Sequence, residues 1–378
     1  MMEFSPQQQA ALDKVREWLG TPGRQVFRLF GYAGTGKTTL AKHLNADLYA
    51  AYTGKAAHVL QTKGCPASTI HSLIYLPREK STQRLQELQA ERDLRAARGE
   101  DVTELEARIN EEQRNLRRPS FTLNLDSPLQ DANLLVVDEC SMVDKEMGED
   151  LLSFGTRVLV LGDPAQLPPV RGGGFFTNHE PDVLLTEIHR QARGNPILDL
   201  ATMVRMNQQW AAHPCVRFTR PGPDEALAAD QIIVGTNKLR QKVNRRIRQL
   251  KGHEDPLPVV GDKVVCIRNN HNIGIMNGAT YTVTDVKHDD NMSMIKIDNW
   301  VWVRVHREPF LGRDVDYWRR MEAEEFEYGY ALTCHKAQGS QWDNVLVYDE
   351  SYVFKGSSQR WLYTAITRAA KQLTVVVT

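Results

Sequence analysis

The sequence has no excess of charge of either sign, because 47 lysines and arginines balance 47 aspartates and glutamates. No overall positive field marks the chain as a binder of polyanions, so any such surface must come from local clustering. Cysteine is also sparse: the five cysteines are scattered and have no C-x-x-C spacing. This argues against a disulfide framework and a structural zinc site, and it favours a reducing compartment.

Long apolar runs are missing as well. No run approaches the roughly 20 residues that a membrane span needs, and nothing near Met1 resembles a charged segment followed by an apolar one. We therefore expect no membrane partner and a cytoplasmic protein. The 378 residues suffice for two or three domains with full hydrophobic cores.

Short apolar runs rich in β-branched residues recur along the chain. They read QVFRLF (25–30), NLLVVDE (133–139), RVLVLGD (157–163), QIIVGTN (231–237), NVLVYDE (344–350) and LTVVV (373–377). Such runs, separated by helical patterns, predict parallel sheets of an α/β protein. Because they fall on either side of about residue 185, we expect two α/β domains.

A charged segment interrupts this rhythm between Arg78 and Arg118, where ten basic and ten acidic residues share forty-one positions. Val102, Leu105, Ile109 and Leu116 keep a 3-4 spacing with Glu112 in the remaining slot, which predicts a helical hairpin that turns near ARGED. Two interpretations stay open: a solvated helical insert, or an element that handles substrate.

A second interruption runs from about Val259 to Pro309. KVVCI, TYTVTDV, SMIKI and VWVRV are short strand patterns separated by the turn candidates HDDN and DN. They predict a small antiparallel barrel inserted in the second α/β domain. Trp300 and Trp302 fit the barrel core better than a base-stacking role.

The stretch FGYAGTGKTTL fits the phosphate-loop pattern, with Gly31, Gly36, Lys37 and Thr38 in the fixed places. In such a loop, backbone N–H groups cradle the phosphates, the lysine reaches the β and γ oxygens, and the threonine hydroxyl joins the Mg²⁺ shell. The preceding strand and following helix place the motif in its required context, so we expect ATP and Mg²⁺ to bind here.

Two further strands end in polar residues. VVDE supplies Asp138 and Glu139, the pair expected when one carboxylate holds Mg²⁺ and the next activates the attacking water. LGDPAQLPPV places Gln166 at the carboxyl edge of the same sheet, where ligands of open α/β sheets bind. Gln166 either touches the γ-phosphate or its water, or caps a turn before Pro168.

Two arginines in helix-like segments of the second half, Arg190 in LTEIHRQ and Arg368 in YTAITRA, are candidates to neutralise charge on a transferred phosphoryl group. With them, the sequence resembles the superfamily 1 helicases, and within these the RecD- and Dda-like 5′→3′ subgroup. The matching segments run in order through nearly the whole chain: SPQQQAAL, GYAGTGKTT, YTGKAAHVL, STIHSLI, VVDECSMV, LGDPAQLPPV, EIHRQARGNPI, GYALTCHKAQGSQWDNV and LYTAITRA.

The resemblance implies two RecA-like motor domains with a helical 1B insertion and a small SH3-like β-barrel 2B insertion. The implied bounds are 1–77 and 119–185 for motor domain 1A, 78–118 for the 1B hairpin, 186–257 and 322–378 for motor domain 2A, and 258–321 for the 2B barrel. In the family the 1B element can split the duplex.

The resemblance also implies roles for individual residues. Gln8 is expected to hydrogen-bond the adenine, His189 to stack on that base, and Gly339 to lie near the γ-phosphate. The loop residues that are expected to bind the nucleotide are Gly34, Thr35, Gly36, Lys37, Thr38 and Thr39. Thr38 and Asp138 would hold Mg²⁺; Lys37, Glu139, Gln166 and the arginine fingers Arg190 and Arg368 would carry catalysis. Single-stranded DNA is expected at Thr53, Lys55, His71, Thr333, His335 and Lys336.

The implied activity is ATP-driven 5′→3′ movement on single-stranded DNA with duplex unwinding, in replication, recombination or repair. Expected partners are single-stranded DNA, its junctions with duplex, and single-strand-binding or replication and repair proteins, with the motor working as a monomer. Alternatives are an ATP-driven clamp or translocase without strand separation, or action on RNA. A GTPase is disfavoured because NKLR has Arg240 where a guanine-reading pattern needs aspartate.

Two features remain ambiguous. The family commonly has proline where this chain has Tyr52, and an acidic residue where this chain has Gln341. The ribose contact usual for that acidic residue is therefore not carried over to Gln341. The run NKLRQKVNRRIRQLKG (237–252) carries seven basic and no acidic residues. It is either an electrostatic rim for DNA or an ordinary solvated helix face.

Overall fold

The computed structural model describes residues 4–77, 83–117, 121–168, 174–188, 194–270, 273–289, 292–315, 319–320 and 322–377. They form two compact units, one of Met1–Ile70 with Leu129–Thr378 and one of His71–Pro128. No described helix has the length and apolar character that crossing a membrane requires.

The α-helices are α1 (Pro6–Gly20), α2 (Lys37–Lys42), α3 (Gly54–Thr62), α4 (Ile70–Ile74), α5 (Gln83–Ala97), α6 (Thr103–Arg117), α7 (Lys145–Leu152), α8 (Pro196–Arg205), α9 (Pro223–Ala228), α10 (Asn237–Leu250), α11 (Cys334–Ala337) and α12 (Ser358–Ile366). The strands are β1 (Val26–Gly31), β2 (Leu48–Ala51), β3 (Ala67–Thr69), β4 (Tyr75–Pro77), β5 (Phe121–Leu123), β6 (Leu134–Asp138), β7 (Arg157–Gly162), β8 (Val183–Leu185), β9 (Val216–Arg217), β10 (Gln231–Val234), β11 (Lys263–Cys266), β12 (Thr280–His288), β13 (Ser293–Ile297), β14 (Val301–Val305), β15 (Phe326–Tyr328), β16 (Ala331–Thr333), β17 (Trp342–Asp349) and β18 (Ala369–Val377).

The first sheet is parallel and has the strand order β3-β2-β6-β7-β1-β8. Its central strands are apolar along their length because both faces are covered: Val136 in β6 and Leu159 in β7 are inaccessible to solvent. Helix α1 contributes Leu12 and Val15 to the same core. The carboxyl ends of β1, β6 and β7 therefore meet at one edge of a rigid layer.

The second sheet is also parallel, with the order β16-β10-β17-β18-β9. Helices α8 and α12 cover it, and Trp361 of α12 is wholly buried in that core. All six apolar runs that predicted parallel strands form strands, three in each sheet. The predicted pair of parallel-sheet α/β layers is confirmed.

The third sheet of this unit is antiparallel and has the order β14-β13-β12-β11-β15. The predicted DN turn joins β13 to β14, and both Asp298 and Asn299 adopt positive φ, 46° and 55°, which these two residue types tolerate best after glycine. Trp300 contradicts the core expectation, since 57% of it is exposed beyond that turn. Trp302 is half-buried under the Lys287 ammonium.

The unit of His71–Pro128 contains the predicted helical hairpin. Helices α5 and α6 pack through Leu85, Leu88, Leu105 and Ile109, which are nearly inaccessible, while their other faces are charged and exposed. Below the helices, β4 and β5 pair antiparallel, with Tyr75 opposite Leu123. The spacing thus identified Leu105 and Ile109 correctly as buried, whereas Val102 is half-buried and the side chain of Leu116 lies outside the described residues.

Candidate nucleotide site and nucleic-acid interface

The phosphate loop connects β1 to α2. Gly34 and Gly36 adopt positive φ of 79° and 81°, which glycine reaches without steric cost and which lets the loop turn tightly. The Lys37 ammonium donates to the carbonyl oxygens of Gly31 and Tyr32. These bonds hold the lysine against the loop that would surround a phosphate chain.

Gln8 links helix α1 to this loop. Its Oε1 accepts from Ser5 N at 3.0 Å, and its Nε2 donates to Thr35 O at 3.0 Å. Ser5 and Gln8 together form a capping box, which explains why the helix begins here. Gln8, the glutamine predicted to bind adenine, therefore stabilises the loop through Thr35. The Thr35 hydroxyl in turn donates to Tyr32 O at 2.8 Å.

Asp138 and Glu139 lie at the end of β6, beside the loop. Thr38 Oγ1 donates to Asp138 Oδ2 at 2.9 Å, so the two residues predicted to hold Mg²⁺ are in direct contact. Glu139 has a positive φ of 53°, an unusual conformation for a non-glycine residue. Burial raises the pKa of Glu139, while the nearby Arg368 guanidinium opposes the shift. Such a carboxylate suits proton transfer.

Gln166 follows β7 in the turn that begins at Asp163. Its backbone N–H donates to Asp163 O at 3.1 Å, so the turn expected from the alternative interpretation exists. The side chain does more than cap that turn: it is 7% exposed and lines the nucleotide cavity. Among the described residues, its buried Oε1 has no hydrogen-bond partner. An acceptor left in this state fits a water or hydroxyl donor in the cavity.

The cavity has a volume of about 380 Å³, and both parallel sheets contribute to its lining. The first-sheet residues include Gly34, Gly36, Lys37, Thr38, Thr39, Asp138, Glu139 and Gln166; the second-sheet residues include Gly339, Ser340, Gln341, Thr367 and Arg368. A larger cavity of about 850 Å³ lies between α10 and the antiparallel sheet, away from these groups.

Gly339 and Arg368 bring the second sheet to the cavity. A Cβ on Gly339 would lie 2.9 Å from Thr53 Oγ1, so only glycine permits this close approach. Arg368 is 5% exposed, and it donates to Thr364 O, Ser340 O and Thr367 Oγ1 at 3.0–3.2 Å. Within the part of the chain that the structure describes, these bonds use three of its five guanidinium N–H donors and leave two for a ligand. His189 and Arg190 lie outside the described residues.

The predicted DNA residues Thr53 and Thr333 have the same local geometry in the two sheets. Thr53 lies two residues after β2 and Thr333 is the last residue of β16, and each caps the next helix: Thr53 Oγ1 accepts from Ala56 N, and Thr333 Oγ1 accepts from Lys336 N. The first backbone N–H groups of a helix have no intrahelical acceptor and can donate to an anion. The two segments are therefore suited to hold phosphates in the same manner.

The predicted DNA lysines differ in their surroundings. The Lys55 ammonium lies 4.3 Å from the ring centroid of Trp342 in the second sheet. Burial, assisted by Arg368, lowers the pKa of Lys55 to about 8. Lys336 is exposed and pairs with Glu327 at 3.0 Å. His335 lies against Phe354, and burial lowers its pKa.

His71 belongs to the His71–Pro128 unit. Its ring lies 4.9 Å from Tyr75 and 4.8 Å from Phe121, measured between centroids, and Phe121 is 43% exposed. The three rings form an aromatic cluster at the base of the hairpin. Tyr75 and Phe121 carried no signal in the sequence, because isolated aromatics beside strands are common.

The basic run on α10 divides into two faces. Arg240 and Arg248 are nearly inaccessible and pair with Glu327 and Asp262. Asn244, between them, donates to Tyr328 O and accepts from Ala331 N. This face packs α10 against the antiparallel sheet and β16, so neither interpretation holds for Arg240 and Arg248, and a DNA rim formed by the other basic residues stays a prediction. The other basic residues remain exposed.

Tyr363 and Tyr32 are functional candidates that the sequence did not reveal. The Tyr363 hydroxyl donates to Asp163 Oδ2 at 2.7 Å and accepts from Ala33 N at 3.0 Å. The Arg205 guanidinium of α8 lies 3.7 Å from the Tyr32 ring centroid. A tyrosine in an apolar helix reads as core, and Tyr32 is already part of the loop, so it is the fold that brings Tyr363 and Arg205 to the phosphate loop.

Two family models match the chain. One, described as an AAA domain, matches residues 3–214, and one, described as a UvrD-like helicase C-terminal domain, matches residues 328–376. The described β1 loop, Asp138 and Gln166 fall in the first match; Gly339 and Arg368 fall in the second. The boundary between the two matches thus separates the two halves of the cavity.

Curated relatives are similar over most of the chain. The ATP-dependent RecD2 DNA helicase of Deinococcus radiodurans is 27% identical over 97% of this chain and 48% of its own length. The ATP-dependent DNA helicase Pif1 of Bdellovibrio bacteriovorus is 25% identical over 91% of this chain and 81% of its own. The chain spans about half the length of the RecD2 relative.

Solved structures agree in fold. Bacteroides Pif1 bound to single-stranded DNA aligns with all of this chain and 92% of its own, with a TM-score of 0.57 and 18% identity. Pif1 from Candida albicans aligns with a TM-score of 0.55 and 19% identity. At these identities the likeness establishes the fold alone.

The fold and the cavity define a phosphate-loop protein built on two RecA-like parallel sheets. More particularly, because the AAA-domain model covers more than half of its residues, the chain belongs to that family. Its similarity to the RecD2 and Pif1 helicases agrees with the resemblance to the RecD-like group of superfamily 1.

Proposed function

We propose that this protein is an ATP-dependent DNA helicase that moves 5′→3′ on single-stranded DNA and unwinds duplex. One observation carries the proposal: a single cavity is lined by the phosphate loop and carboxylates of one parallel sheet and by Gly339 and Arg368 of the other. A site divided in this way couples nucleotide turnover to the contact between two domains. The names of the RecD2 and Pif1 relatives support DNA as the polymer.

The nucleotide chemistry is assigned to residues already at the cavity. Lys37 neutralises the β and γ oxygens, Glu139 accepts a proton from the attacking water, and Gln166 orients that water through its free Oε1. Arg368, joined by Arg190, stabilises charge on the transferred phosphoryl group. Gln8, Gly34, Thr35, Gly36, Thr39 and His189 complete the nucleotide contacts.

Mg²⁺ fits the donor set at Thr38 and Asp138. Among the described residues, no group of three or more histidine, cysteine or acidic side chains could hold a metal. Mg²⁺ does not need one, since it keeps several waters and takes one or two protein oxygens beside substrate phosphates. The Thr38 hydroxyl and Asp138 carboxylate, 2.9 Å apart, would supply those oxygens. The bound ion would neutralise charge that develops between the β- and γ-phosphates.

The contacts with single-stranded DNA are assigned to the two helix-capping segments. Thr53 and Lys55 in the first sheet domain, and Thr333, His335 and Lys336 in the second, would grip the DNA backbone alternately. Such contacts give affinity without base readout and weaken with salt. His71 would join them through the aromatic cluster it forms with Tyr75 and Phe121.

The domain bounds inferred from the sequence are part of this proposal: 1A at 1–77 and 119–185, 2A at 186–257 and 322–378, the helical 1B insertion at 78–118 and the SH3-like 2B barrel at 258–321. The charged hairpin of α5 and α6 is proposed as the element that separates strands. The antiparallel sheet supports a barrel-type 2B insertion, with β15 adding a strand beyond residue 321.

A forked-duplex assay tests the function. With ATP and Mg²⁺, strand displacement is expected on forks with a 5′ tail and not on those with a 3′ tail. ATPase stimulated by single-stranded DNA without displacement on either fork would favour the clamp or translocase. RNA-tailed forks in the same assay decide whether RNA replaces DNA.

A further inference from the structure

The segment Asp163–Leu167, which carries Gln166, is held by hydrogen bonds from the second sheet domain. At its start, Asp163 Oδ2 accepts from the Tyr363 hydroxyl at 2.7 Å. At its end, Leu167 N donates to Thr364 Oγ1 and Leu167 O accepts from Gln338 Nε2, both at 2.9 Å. Gln166 therefore lies between two sets of hydrogen bonds, both made by residues of the second sheet domain.

The Tyr363 hydroxyl also reaches the phosphate loop. Ala33 N donates to it at 3.0 Å, so one oxygen accepts from the loop backbone and donates to the Asp163 carboxylate. Asp163 in turn fixes the turn beneath Gln166, because its Oδ1 accepts from Ala165 N and its carbonyl accepts from Gln166 N. A chain of hydrogen bonds thus connects α12, the phosphate loop and Gln166.

The surroundings keep this bridge in one state. Tyr363 is 2% exposed and Asp163 is 1% exposed, so water does not compete for either group. Burial, and next the Asp163 carboxylate, raise the pKa of the Tyr363 phenol well above its usual value. The raised pKa keeps the hydroxyl protonated at neutral pH, where it donates to Asp163.

We propose that Tyr363 is a positioning residue for hydrolysis: its hydroxyl places the phosphate loop and the Gln166 turn in register only when the two sheet domains are docked. Tyr363 is not among the residues that line the nucleotide cavity, whereas Ala33 and Gln166 are. It therefore acts through them. The inference deepens the proposed function and rests on it.

The test removes the hydroxyl and keeps the ring. Tyr363→Phe is expected to lower the kcat of ATP hydrolysis in the presence of single-stranded DNA by about 10- to 100-fold, the range that a misplaced catalytic group produces. The KM for ATP and the Kd for single-stranded DNA should stay near wild type, because the groups that bind both are unchanged. Thr364→Val, which removes the acceptor of Leu167 N, should act in the same direction.

The matched control is Tyr328→Phe. Tyr328 is also buried, and its hydroxyl donates to Pro256 O at 2.8 Å; both residues line the larger cavity beside α10 and neither lines the nucleotide cavity. Both phenylalanine variants should lose similar thermal stability, and only Tyr363→Phe should lose kcat. A kcat for Tyr363→Phe close to wild type overturns the inference. So does an equal loss of kcat in the control, or a fall in Tm that unfolds Tyr363→Phe at the assay temperature.

The wild-type rate separates this inference from the proposed function. If wild type shows no ATP hydrolysis with or without DNA, the proposed function fails and the inference fails with it. If wild type is active and Tyr363→Phe equals it, only the role of Tyr363 fails.

Discussion

The two parallel sheets end in opposite chemistry at the shared cavity. The edge of the first sheet presents the carboxylates Asp138 and Glu139 beside the phosphate loop, whereas the second contributes Gly339 and the Arg368 guanidinium. Neither edge alone both positions a water and neutralises the charge of a transferred phosphoryl group. The difference teaches that turnover here is a property of the docked pair of sheets.

The same two sheets resemble each other in one local feature, a threonine that caps the helix after a strand. Thr53 lies just after β2 and Thr333 ends β16, and each caps the next helix with the same hydrogen bond. The likeness of the Thr53 and Thr333 segments suits two equivalent grips, that is, backbone contacts, on one DNA strand. The contrast at the cavity suits a single nucleotide site between the two sheets. The predictions below separate these two levels.

The largest expected effect comes from the first sheet. Lys37→Ala removes the ammonium that we propose neutralises the β and γ oxygens, and it should abolish ATP hydrolysis and unwinding while binding of single-stranded DNA is kept. The control is Lys42→Ala, an exposed lysine on the same helix. Steady-state ATPase and fluorescence anisotropy measure both. A Lys37→Ala protein that hydrolyses ATP at near the wild-type rate would contradict the assignment of the loop.

The second sheet is tested by Arg368→Ala. We expect kcat to fall by about 10³-fold, because a guanidinium at a transferred phosphoryl group typically contributes 10³ to 10⁵. Arg360→Ala removes an exposed arginine from α12 and should leave kcat unchanged. Equal rates in the two variants would show that the cavity needs only the first sheet.

The hairpin is expected to affect strand separation only. Replacing 83–115 by a short turn should leave DNA-stimulated ATPase largely intact and slow unwinding by about tenfold, which corresponds to roughly 1.4 kcal/mol on the barrier. Unwinding and ATPase are measured on the same forked substrate. If unwinding is unchanged, the hairpin is the solvated insert of the alternative interpretation.

The smallest effect concerns one grip. Since the pKa of Lys55 is about 8, its ammonium is charged at pH 7 and loses its proton as the pH rises through 8. DNA affinity should therefore weaken from pH 7 to pH 9, and Lys55→Gln should remove that part of the dependence and lower the salt slope by about 0.7.

Lys263→Gln is the control for Lys55, because the pKa of Lys263 is also lowered to about 8 while its ammonium donates to Asp230 O and Gln231 Oε1. A pH dependence that persists in Lys55→Gln and disappears in Lys263→Gln would contradict the assignment.

Much of this arrangement could be predicted from the sequence because it rests on local pattern. Apolar runs predicted the parallel strands, the spacing of Leu105 and Ile109 predicted the hairpin, and the phosphate-loop motif located Lys37 and Thr38. Strands as short as β9, of two residues, carry no period that could reveal them.

What could not be predicted depends on contacts between distant segments. Tyr363 reaches Asp163 across 200 positions, and Lys55 lies over Trp342 from the opposite sheet. Arg240 and Arg248 are like any basic helix residues until Glu327 and Asp262 pair with them. The prediction that Trp300 lies in the barrel core was wrong, because a tryptophan just beyond a tight turn projects away from the sheet core.

The most direct test of the divided site is the kcat of ATP hydrolysis with and without single-stranded DNA. If DNA held by both grips docks the two sheets, wild type should be stimulated more than about tenfold, and Arg368→Ala should lose most of that stimulation. Equal wild-type rates with and without DNA would contradict the account.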